Sequence, residues 1–125
     1  MLKVFTQANL YENRIAIESE NKEYSYKYIL DKSDLIASFL LGKRNDLLEQ
    51  RIGILVNPNI DYITILWGIW KSGGVAVPLS LSATENELKH YISDSGINII
   101  ISSKSCEQKQ NIPNIDDLEL INIEN

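Results

Sequence analysis

Trp67-Gly68-Ile69-Trp70-Lys71-Ser72-Gly73-Gly74-Val75-Ala76-Val77-Pro78-Leu79 reads as the end of a buried helix, a glycine pair, and a short apolar strand closed by proline. Gly73 and Gly74 both permit the positive φ that stops a helix tightly. Pro78 has no backbone donor, so it belongs at a sheet edge or a strand end rather than in a central ladder. Helix, tight turn and strand together make the second half of an α/β crossover.

The neighbouring segments extend the same pattern. Upstream, Arg51-Ile-Gly-Ile-Leu-Val56 is a nearly continuous apolar run, as in a strand covered on both faces. Asn57-Pro58 suits an N-cap followed by proline at the first helical position, which predicts a helix over 58–72. Ile60, Ile63, Ile65, Leu66, Trp67, Ile69 and Trp70 leave that helix almost no polar face beyond Asp61 and Lys71. Such a helix is buried between layers. Downstream of the strand over 75–79, Thr84-x-x-Glu87 forms a capping-box pattern. Leu88, Tyr91 and Ile92 supply the inner face of the next helix, Gly96 closes it, and Ile97–Ser102 is a third strand. These are consecutive βαβ units, and right-handed crossovers turn them into an α/β fold with a parallel sheet flanked by helices.

The N-terminal part reads differently. Residues 14–18 and 22–24 flank Ser19-Glu20-Asn21 as a small β-hairpin. Ser25 is placed to cap a helix over 26–41, where Tyr26, Ile29, Leu30, Ile36, Ala37, Leu40 and Leu41 form one apolar stripe broken only by Ser33. Gly42 ends it and a polar loop runs from Lys43 to Gln50. After Ser103 the chain is polar to Asn114, and Leu118–Ile123 reads as one more strand, so 104–125 is a polar loop with a last strand.

With 125 residues, 44% hydrophobic, 23% charged and a net charge of −5, the chain is a single soluble domain or a piece of one. Lys43, Arg44 and Arg51 are the only basic cluster and read as cations at a helix end, which disfavours nucleic acid as a partner. No apolar run approaches the roughly 18 residues of a membrane span. Met1–Gln7 lacks the charged-then-apolar pattern of a signal peptide. Cys106 is the single cysteine, excluding an internal disulfide and a thiolate metal cage. Together these features predict a cytoplasmic protein.

No complete catalytic constellation emerges from the residues. The turn after the Arg51–Val56 strand is Asn57-Pro58-Asn59, while Gly53 and Gly68 fall inside elements, so no dinucleotide-type glycine loop exists. A phosphate-accepting receiver domain would need acids at the strand ends, where Asn57 and Ser80 stand instead. Asn57 opens a helix whose free N–H groups attract anions, a property of every helix start. His90 has no second histidine or cysteine near it in sequence and reads as a surface residue. Cys106, without a neighbouring histidine, reads as an unreactive loop thiol. Asp116, Asp117 and Glu119 read as solvated loop acids. Trp67 and Trp70 read as core. No catalytic, cofactor-binding or metal-ligating residue is therefore nominated.

Several strings nevertheless resemble one enzyme superfamily. Ser25-Tyr26-x-x-Ile29-Leu30, Arg51–Asn59, Leu66–Leu79, Glu87-Leu88 and Asp94-Ser95-Gly96 look like the N-terminal part of the AMP-forming acyl-CoA synthetases and adenylation domains. The wording from Gly68 to Leu79 is most similar to the branch containing malonyl-CoA synthetases. The resemblance covers residues 14–103, and its central string marks a helix-to-strand turn rather than a reactive group. It implies a parent ligase of fatty acid metabolism that activates a small carboxylic acid with Mg-ATP. Acyl-adenylate and pyrophosphate form, and the acyl group passes to the thiol of coenzyme A. It also implies that the phosphate loop, the aromatic and acidic ATP-site residues and the C-terminal lysine lie beyond residue 125, so no catalytic residue is carried over.

The expectation is thus a partial N-terminal subdomain over 1–125, a scaffold inactive alone, with ATP, Mg and coenzyme A bound by the parent and not by this chain. The alternative is a free-standing α/β binding or interaction module, and a third is an unrelated nucleotide-binding α/β domain. A sheet cut short at its last strand predicts an exposed edge, an apolar face and self-association.

Overall fold

The computed structural model describes residues 2–103, 106 and 111–123; of the polar stretch after Ser103, residues 104, 105 and 107–110 lie outside that description. The elements in chain order are α1 (Lys3–Leu10), β1 (Ile15–Ser19), β2 (Lys22–Ser25), α2 (Tyr26–Leu41), β3 (Arg51–Leu55), α3 (Ile60–Lys71), β4 (Val75–Pro78), α4 (Glu85–Ser95), β5 (Ile99–Ser103) and β6 (Glu119–Ile123).

β1 and β2 form an antiparallel hairpin, closed at the Ser19↔Lys22 pair. Glu20 and Asn21 both hold positive φ (53° and 65°), the two-residue turn whose twist matches that of the flanking strands. Ser25 then caps α2, its Oγ accepting from the Tyr28 N–H at 3.1 Å. α1 was not legible as a helix. It has no side-chain cap, and among its residues Phe5 and Ala8 are buried. Tertiary contact holds it, with the Phe5 ring packed edge-on against Trp67 at 5.3 Å.

The other four strands form one parallel sheet in the order β4-β3-β5-β6. Side chains alternate between its faces. Ile52, Ile54, Val56 and Ile101 pack toward α2 and α3, while Leu55 and Ile100 pack toward α4. β4 lies at one edge, which accommodates Pro78 at the strand end. The connection from β3 to β4 runs one way across the sheet with α3 on one face. The connection from β4 to β5 runs back with α4 on the other. Opposite directions on opposite faces give both crossovers the same hand, the right-handed one being the favoured solution.

Four sequence expectations are corrected. α3 begins at Ile60, and its cap is Asn59 rather than Asn57. Asn59 is extended (φ −133°, ψ −164°) and its Oδ1 accepts from the Asp61 N–H at 2.9 Å, so Pro58 bends the chain before the helix. Asp61 is not on a polar face but buried, as is Thr64. Of the glycine pair, Gly73 alone takes positive φ (85°), and an added Cβ there would collide with the Asp46 carboxylate. Ser33 does not interrupt the apolar stripe; it is fully buried, with its Oγ donating to the Leu30 carbonyl at 2.9 Å. It lies where α2 meets Gly68 of α3, at which a Cβ would sit 2.6 Å from Ile36 Cγ2 and 3.2 Å from the Ser33 carbonyl. Small residues let the two helices approach at backbone distance.

Candidate functional site

In open α/β sheets ligands bind outside the carboxyl ends of the strands, where the strand order reverses. In this sheet that point lies between β3 and β5. The protein's own groups bond to one another there. Ser102 Oγ donates to the Leu55 carbonyl at 2.7 Å across the two strands, and both residues are fully buried. The Cys106 N–H donates to the Ser103 carbonyl at 3.1 Å, and its side chain is buried, so the thiol is shielded from reagents. The α3 N-terminus beside β3 already uses Asn59 as its acceptor and places buried Asp61 in its first turn. A negative side chain in the first turn complements the helix dipole. Asn57, weighed as an anion-binding helix start, does not open the helix.

The other residues weighed from sequence are scattered. His90 is solvent-facing, with Nε2 3.0 Å from Asp94 Oδ2 one turn along α4. Asp116, Asp117 and Glu119 are exposed before and at the start of β6. The basic cluster divides. Arg44 donates to the Leu47 carbonyl and to Gln50 within the loop, whereas Arg51 Nη1 donates to the Ser95 carbonyl at 2.7 Å. Arg51 thus complements the C-terminal end of α4, not that of α2.

One feature escaped the sequence. Trp70, read as core, is 39% exposed and lines a groove of about 460 Å³ with Leu2, Phe5, Asn9, Asp34 and Lys71. Lys71 Nζ donates to Asp34 at 2.8 Å and to the Leu30 carbonyl at 3.1 Å, and lies 5.2 Å from the Phe5 ring centre. A largely buried ammonium with two oxygens and a ring face is a clasp joining α1, α2 and α3. The Phe5/Ala8 spacing was the one signal for it, too short to mark a helix alone. On α2, burial raises the Tyr28 phenol above its ordinary pKa, with smaller contributions from Tyr24 and Asp61.

This arrangement supports a sheet and its helices but, among the described residues, brings together no acid, base and nucleophile. Its family is fixed by similarity. The model of the AMP-binding enzymes matches residues 4–123. The chain belongs to the AMP-binding enzyme family. It is 34% identical over 116 residues to a probable CoA ligase of Humulus lupulus, covering 75% of this chain and 19% of the relative. It is also 34% identical over 114 residues to the malonate–CoA ligase of Arabidopsis thaliana, covering 80% of this chain and 19% of the relative. Among solved structures, the N-terminal subdomain of Klebsiella oxytoca NpsA superimposes with a TM-score of 0.80 at 15% identity, over 95% of this chain and 30% of that one. An artificially fused adenylation–carrier di-domain of a nonribosomal peptide synthetase from the same organism gives 0.82 at 15% identity, over 95% and 22%. The fold is thus that of an adenylation domain's N-terminal part, and the chain spans about a fifth of the length of the curated relatives it matches. Among the described residues no helix is long and apolar enough to cross a membrane.

Proposed function

We propose that residues 1–125 are a partial N-terminal subdomain of an ATP-dependent ligase that converts a small carboxylic acid of the malonate type to its acyl-adenylate and then to the CoA thioester. The observation that carries this reading is the match to the Arabidopsis malonate–CoA ligase over 80% of this chain but only 19% of the relative. Acyl-adenylate formation needs N–H groups and cations, Mg among them, around the charge developing on the triphosphate. The Ser102–Leu55 hydrogen bond between β5 and β3 and buried Asp61 suit a supporting role instead, so the reactive groups of this proposal belong to other parts of the enzyme. A cytoplasmic setting is part of the proposal, supported by the single cysteine. Because several of the malonate–CoA ligases are named mitochondrial, recovery of the tagged protein in mitochondria overturns that part.

The test is ATP–pyrophosphate exchange with malonate. The 125-residue chain alone is expected to show none. Exchanged for the matching segment of the Arabidopsis ligase, it is expected to support malonate-dependent exchange and CoA thioester formation. Turnover by the isolated chain overturns the scaffold role, and a folded but inactive chimera overturns the ligase reading.

A further inference from the structure

We draw no further inference here: the strongest candidate, the groove of about 460 Å³ beside Trp70 between α1, α2 and α3, has its carboxylates already paired within the chain, Asp31 with Lys27 and Asp34 with Lys71, and nothing in the structure shows what covers it.

Discussion

The two faces of the parallel sheet are closed by different devices. On one, α2 and α3 meet at backbone distance across Ser33 and Gly68, over Ile52, Ile54 and Ile101. On the other, α4 supplies Leu88 and Ile92, and Ile112, Ile115 and Leu118 pack against the same cluster. The first face is limited by steric approach, so added atoms harm it. The second depends on a few anchors and a well-made helix end, so removed atoms harm it.

Truncating the principal anchor should have the largest effect. Leu88 is fully buried, and Leu88→Ala is expected to cost about 3–4 kcal/mol, read as a lower urea midpoint at unchanged slope. A cost under about 1 kcal/mol would mean that α4 is not what closes that face. Next comes Gly68→Ala. In an open helix this change is worth up to about 1 kcal/mol of stability through propensity. At Gly68 the new methyl meets Ile36 and the Ser33 carbonyl, and a net loss of about 2 kcal/mol is expected. A stabilised Gly68→Ala variant would break the contrast between the faces, because it would show that α2 can move away at no cost.

Smaller effects sharpen the picture. Thr84 and Glu87 form a reciprocal capping box at the start of α4. Thr84→Ala should cost about 1 kcal/mol, and hydrogen exchange should quicken in the first turn of α4 before it changes in α3. Equal quickening in both helices would contradict separate closure of the faces. The smallest effect is expected at Leu35, whose side chain is largely in solvent. Leu35→Ala should shift folding stability by no more than about 0.5 kcal/mol when measured at low protein concentration.

Much of the fold was legible in sequence because its signals are local. Ser25 and the Thr84–Glu87 box announce their helices through side chains that bond backbone groups three residues away. The apolar runs Arg51–Val56 and Ile97–Ser102 announce the strands observed at Arg51–Leu55 and Ile99–Ser103, because a strand covered twice has no polar alternation. Even Leu118–Ile123 was readable as a strand, and it pairs in parallel with β5. Misreadings arose where a residue's meaning came from across the chain. Asn57-Pro58 reads as a helix opening, but the hydrogen bond from Asp61 N–H to Asn59 moves the cap two residues on. Trp70 sits on an apolar helix like Trp67, yet one faces the core and the other a groove, because α1 covers only part of α3. As for a site, the sequence nominated no residue, and the Lys71 clasp was invisible because its oxygens lie on α2 and its ring on α1.

By itself, the sequence determined the class of fold, the order of its strands and helices from β1 onward, and through the string from Leu66 to Leu79 its kinship with adenylate-forming ligases. These are properties of periodicity, capping and turn chemistry, each complete within about a dozen residues. Tertiary structure alone decided how far that string serves chemistry. Lys71 is bound to Asp34 and Leu30, Gly73 turns tightly under Asp46, and Gly68 lets α2 approach, so its residues lock layers together. That outcome depends on distances between segments dozens of residues apart, which chain order does not fix until the layers have packed.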